Sequence, residues 1–212
     1  MIKLRKWIKT GIRGPEGSGP QKSSMLVEKE AKKIKVTYET KGMWNIAGES
    51  NFDEIEVPNV GQNLEPGEPA LPQEGIYIAL PAGATVSEIK VVKEEKKTIK
   101  LNKKLKPAPT PTFDEHEPPQ YIPKTDIYEK DEVFPGVLYK DLGKTQLGDV
   151  NVLHLMVYPV QYYPHSNKVD LYQRIELEIS YELGTLRAIP TRGGRKRIPS
   201  GYEDQILNMD NI

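Results

Sequence analysis

The chain has no cysteine, no surplus of charge of either sign and no long apolar run, and each gap removes a class of function. Without cysteine there are no disulfides, no thiolate metal sites and no cysteine nucleophile within these residues. Thirty basic residues face thirty acidic ones, giving a formal net charge of zero, whereas a nucleic-acid-binding domain concentrates basic charge. No stretch of 18 apolar residues is present, which excludes a spanning helix. The start, MIKLRKWIKTGIRGPEG, is basic but lacks the apolar stretch of about 7–15 residues that a secretion signal carries. Ile2, Leu4, Trp7, Ile8 and Ile12 among lysines suit either a membrane-surface helix or a loose basic tail; so short a helix is marginal, which favours the tail.

Catalytic signatures are missing as well. No HExxH, GxSxG, P-loop or GxGxxG pattern occurs, and no serine stands in a nucleophile-elbow context. The three histidines are scattered. His154 alternates with apolar residues, as a packed or rim strand residue does. His116 lies among Asp114, Glu115 and Glu117, which reads as a weak metal site or equally as surface charge. The expectation is a chain with no catalytic, cofactor-binding or metal-binding residues of its own.

What the chain has in quantity is proline, glycine and tyrosine, at 18, 17 and 11 residues. Between the turn formers lie segments with the two-residue period of half-buried strands: KIKVTYET (33–40), DEIEVPNV (53–60), GIYIALP (75–81), TVSEIKVVKEE (85–95) and TIKLNKKL (98–105). Val86 and Val91 differ in parity, which predicts a bulge or two-sided burial near Ile89. Strand character returns over 126–143. In the longest apolar run, NVLHLMVYPVQYYP (151–164), both strand faces are apolar, and Pro159 must then sit at a sheet edge or a bulge. KVDLYQRIELEISYEL (168–183) sets Ile175, Leu177, Ile179 and Tyr181 against Glu176, Glu178 and Ser180. The pattern predicts an all-β fold, an antiparallel, jelly-roll-like β-sandwich over 31–184. It is flanked by flexible tails: a basic one over 1–30 and a basic linker over 185–212.

Three segments call for a separate reading. Pro107, Pro109 and Pro111 fix φ and remove donors at alternate positions, so 105–123 should run extended outside a sheet interior, as a surface strap or as a proline-rich ligand for an aromatic groove. Tyr158, Tyr162, Tyr163 and Tyr172 with Gln161, His165 and Asn167 could form a carbohydrate platform; the plainer account is tyrosines bracing the YPVQYYP corner. After residue 184, Arg192, Arg195 and Arg197 beside Gly193 and Gly194 suit cleavage after a basic residue, or a solvated linker left uncut.

PGEPALPQEGIYIALPAGATVSEIKVV (66–92) joins these observations. Gly67, Pro69, Leu71 and Pro72 form a G-x-P-x-L-P element, and Leu80, Pro81, Gly83 and Ala84 close the next strand. Downstream come KPAPTP (106–111), YEKDEVFPG (128–136) and Pro159, Val160, Tyr162 and Pro164, followed by Leu171, Tyr172 and Ile175 on an alternating strand. In this order the elements resemble the N-terminal propeptide domain of gingipain-type cysteine peptidases, over about residues 33–183. The resemblance implies a β-sandwich prodomain that covers a caspase-like peptidase domain, in cis or in trans, holds it latent and assists its folding. The catalytic His and Cys of that family lie in the following domain. It also implies an extracellular or cell-surface location, although this chain opens without a signal peptide. Latency of this kind needs an extended loop in the substrate cleft; Lys124, Lys130, Lys140 and Lys144 are basic residues in plausible loops, and no motif selects one. The alternative is a cell-surface adhesion or carbohydrate-binding module. Glycines at the corners and prolines at strand ends make 66–92 a fixed corner rather than a linker.

Overall fold

A computed structural model describes residues 4–11, 20–47, 51–112, 116–184, 198, 201–202 and 205–208. Along the chain, the strands are β1 (Leu4–Lys9), β2 (Ser24–Lys29), β3 (Lys33–Glu39), β4 (Gly42–Ala47), β5 (Phe52–Glu56) and β6 (Gly61–Gln62). They continue as β7 (Pro72–Ala79), β8 (Ala84–Lys100) and β9 (Lys104–Leu105). A single helical turn, α1 (Thr125–Tyr128), precedes β10 (Tyr139–Leu147), β11 (Val150–Val157), β12 (Val160–Tyr163) and β13 (Lys168–Leu183). No helix among the described residues is long and apolar enough to cross a membrane.

Two sheets face each other across the main core. One has the order β10-β11-β7-β6; the other has β12-β13-β3-β2, with β8 on the remaining edge of β13. The alternating residues meet as their period requires: Ile34 and Val36 of β3 and Ile175, Leu177 and Ile179 of β13 pack against Ile76 and Ile78 of β7 and Leu153 and Leu155 of β11. A third sheet, β1-β4-β5-β9, closes a second core around Met43, Ile55, Leu71, Leu105, Tyr128, Tyr162 and Leu171. β13 is long enough to serve both cores, Val169 and Leu171 in the second and Ile175 to Tyr181 in the first. The β5–β9 pair is parallel; the other strand pairs are antiparallel. The fold is an all-β sandwich.

Three local expectations differ from the structure. Residues 4–9 and 24–29, expected as tail, are strands. Trp7 lies opposite Trp44 with ring centroids 5.1 Å apart, Arg5 sits over the Trp44 ring and pairs with Glu56, and β2 pairs with β3. Their partners lie on other strands, where a local reading of composition cannot see them. Second, residues 126–138 form no continuous strand; α1 and bends occupy them, Phe134 makes an isolated bridge to Tyr162, and ladder pairing resumes at Tyr139. Third, 85–105 is mainly one 17-residue strand. Register shifts leave Ser87 and Val92 unopposed on either side of Ile89, so the expected irregularity is a pair of bulges. Among the described residues β8 pairs only with β13. Its exposed outer side is rich in lysine and glutamate, a composition that discourages pairing with a further chain.

One carboxylate at the main core carries a pH dependence. Burial raises the Glu74 carboxyl above its usual range, partly offset by the hydrogen bond that the Tyr38 hydroxyl donates to Glu74 Oε2 at 2.8 Å. A raised folded value means that the native state holds the proton more tightly than the unfolded chain. Stability from this group is therefore full below the unfolded value and declines as pH rises through the folded one. Glu74→Gln keeps the acceptor for Tyr38, and its melting temperature is expected to gain on that of the parent as pH rises above about 4.5. Parallel melts of both proteins from acid to neutral pH read this; identical slopes would refute it.

Candidate functional site

The 66–72 corner and the proline strap form one unit. Alternating prolines leave N–H groups only at residues 106, 108 and 110, and all three are used: Lys106 donates to Asp53 O at 2.9 Å, Ala108 to Glu68 O at 2.7 Å and Thr110 to Gln120 O at 2.8 Å. The strap is thus stitched into the fold rather than lying loosely on it, and Ala108 is fully buried. Pro69 bridges Pro107, and Ala70 N–H donates to Lys106 O at 3.0 Å. Leu71 of the corner fills the second core.

Gly67 touches both limbs of the strap. Its N–H donates to Ala108 O at 3.0 Å on the outgoing limb, and its carbonyl accepts from Lys124 N–H at 2.9 Å on the returning limb. Its φ is +78°, and a Cβ there would stand 2.9 Å from Ile122 O, so both torsion and space require glycine. Beside it, Lys124 Nζ pairs with Glu68 at 3.1 Å and Glu65 at 3.7 Å, and Asn63 donates to the other oxygen of Glu68 at 3.0 Å. The hydrogen bond to Glu68 raises the Lys124 ammonium above its usual value. Lys106 pairs with Glu54 and lies 3.9 Å over the Tyr121 ring. Between the limbs, the Thr110–Gln120 bridge closes the base of a loop over 111–119, flanked by Pro109, Pro111, Pro118 and Pro119. His116, Glu117, Pro118 and Pro119 are exposed, and residues 113–115 lie outside the described residues.

The other motif residues also sit at joints. Pro72 begins β7. Pro81 and Gly83 turn the chain from β7 into β8, with Ala84 N–H donating to Pro81 O and Gly83 at φ +74°. Pro159 lies where the chain leaves the sheet of β11 for that of β12, and Tyr172 N–H donates to its carbonyl at 2.8 Å. Tyr162 is fully buried. Its hydroxyl accepts from Leu105 N–H at 3.2 Å and donates to Asn167 Oδ1 at 3.3 Å, while its backbone pairs both ways with Phe134. Pro164, also buried, ends β12.

This inward placement removes the sugar platform. Tyr162, Tyr172 and Gln161 are buried, and Tyr163 donates to Asp170 at 3.1 Å. The four lysines also separate: Lys124 is a clamp in the loop base, Lys130 is exposed after α1, and Lys140 and Lys144 are exposed on β10. None lies on the 111–119 loop. Arg192, Arg195 and Arg197 fall outside the described residues. The loop base was missed as a site in the sequence because its residues come from separate segments; the alternation of proline with N–H-bearing residues was the signal that could have found it.

The Propeptide_C25 family model matches residues 16–199. A structure giving insight into the zymogenic latency of gingipain K from Porphyromonas gingivalis superposes with a TM-score of 0.66 at 21% identity, covering 85% of this chain and 100% of that one. The complex of Porphyromonas gingivalis RgpB pro- and mature domains gives 0.68 at 17% identity, covering 90% and 100%. At these identities the likeness is one of fold. No curated protein matches the chain.

Proposed function

The chain belongs to the Propeptide_C25 family, and from that premise we propose that it keeps its cognate cysteine peptidase domain latent by laying the 111–119 loop in the substrate cleft. As a propeptide domain, it is the non-catalytic part of a cysteine peptidase precursor. The observation that carries the proposal is the double anchoring of the loop. Gly67 holds both limbs and the Thr110–Gln120 pair closes the base, so the exposed residues Pro111 and His116 to Pro119 are presented on a frame fixed by two cores. Pro111, Pro118 and Pro119 fix φ at their own positions, which lowers the ordering entropy lost at those positions on docking in a cleft that accepts extended chain. The RgpB complex pairs a pro-domain of this fold with its mature domain, which supports a partner of the same kind here.

Maturation begins with a cut after one of Arg192, Arg195 or Arg197, in the segment that follows the long β13. Such work belongs outside the cell or at its surface. The test is to titrate the purified chain into its cognate peptidase domain and measure residual activity. Activity is expected to fall in proportion to bound chain; full activity at saturating micromolar chain would refute the proposal.

A further inference from the structure

The edge of β7 is shared by two segments. β6 covers its beginning, pairing Gly61 with Gln73 and Gln62 with Pro72. Further along the strand, residues 206–208 dock on it. Ile206 forms a parallel bridge with Tyr77, and Leu207 N–H donates to Tyr77 O at 3.0 Å. Asn208 then does with its side chain what a strand does with its backbone: Oδ1 accepts from Ala79 N–H at 2.7 Å and Nδ2 donates to Ala79 O at 3.0 Å. Asn208 and Ile206 are each only 4% exposed. Ile206 covers Ala79, Val150 and Val152 on the face of β7 and β11 turned away from the main core, with Ile198 against the same cluster. This accounts for the apolar residues on both faces of β11. Tyr202 adds an edge contact to Tyr77, whose ring stacks on His154 at 4.4 Å.

We propose that residues 205–208 are a clip, a strand added in cis to the β7 edge, which keeps the chain beyond Gln205 attached to the sandwich when the segment between β13 and Ile198 is cut. Strand addition suits this task because main-chain bonds supply the attachment, and one buried apolar side chain with one carboxamide sets the register. Desolvation makes the asparagine selective: without its carboxamide, Ala79 keeps two buried backbone groups with no partner, a larger loss than that of an ordinary surface bond. The clip rests on its own contacts; only its part in maturation rests on the reading of Arg192, Arg195 and Arg197 as cut sites. A cut there then leaves the two pieces together, and separation requires the clip to be pulled from β7.

The experiment places a recognition sequence for a site-specific protease over 192–197 of the full chain, nicks it, and follows both the C-terminal piece and amide hydrogen exchange. Before nicking, the amides of Ala79 and Leu207 are expected to exchange slowly. After nicking, the piece co-elutes with the sandwich at micromolar chain concentration and both amides remain slow. In Asn208→Ala the nicked piece elutes alone and Ala79 exchanges about tenfold faster or more. The Leu105 amide, bonded to Tyr162 in the second core, stays slow and shows that the variant is folded. Free separation of the unmutated piece after nicking would overturn the proposal, as would unprotected Ala79 and Leu207 amides in the intact chain.

Discussion

Replacing residues 112–118 by two glycines is expected to weaken inhibition of the cognate peptidase domain about 100-fold, close to 2.7 kcal/mol, while the sandwich stays folded. The change leaves a four-residue connection between Thr110 and Gln120, a length that closes an antiparallel pair. The described residues removed belong to neither core, and His116, Glu117 and Pro118 are exposed. Shortening the loop lowers its closure entropy slightly, so stability should stay within about 1 kcal/mol of the parent. The effect then appears in the inhibition constant with little change in the urea midpoint. If the constant is unchanged, the cleft is not where the loop lies and latency comes from another surface of the sandwich.

The second large effect is expected from Gly67→Ala, at about 2–4 kcal/mol of stability. A left-handed φ of +78° costs an alanine about 1–2 kcal/mol by itself. The new Cβ also meets Ile122 O at 2.9 Å. That neighbour is backbone, so relief means moving the returning limb and straining the bond from Lys124 N–H, worth roughly another 1 kcal/mol. Gly143 isolates the torsional part: its φ is +95°, yet nothing lies within 4 Å of a Cβ there. Gly143→Ala should show only the strain. Urea denaturation of both variants measures the difference, and equal losses would mean that the contact with Ile122 carries no weight. Because Gly67 holds both limbs, its alanine variant should also inhibit less well than the Gly143 variant at temperatures where both remain folded.

Much of this protein is legible in the sequence, and the reason is local. Ile34 and Val36 of β3 and Ile175, Leu177 and Ile179 of β13 alternate with charged or polar residues, and a two-residue period on a pleated strand leaves one choice of buried face. The corner at 66–72 and the crossing at Pro159 are legible for the same reason, since glycine and proline act on the torsions of their own residue. Sequence alone therefore determined the sandwich, its corners and the resemblance to propeptide domains.

Which segments meet was settled only by the tertiary structure. Nothing within residues 4–9 says that Trp7 will find Trp44, and nothing in the basic stretch after 184 says that Asn208 will complete the edge of β7. The two-limbed base of the 111–119 loop likewise joins residues 67, 108, 110, 120 and 124, and the bonds of Gly67 to Ala108 and Lys124 reach across separate segments of chain. Hydrogen bonds and burial between distant segments depend on how the sheets stack, and stacking is fixed by the whole core at once, beyond the reach of any window of neighbouring residues.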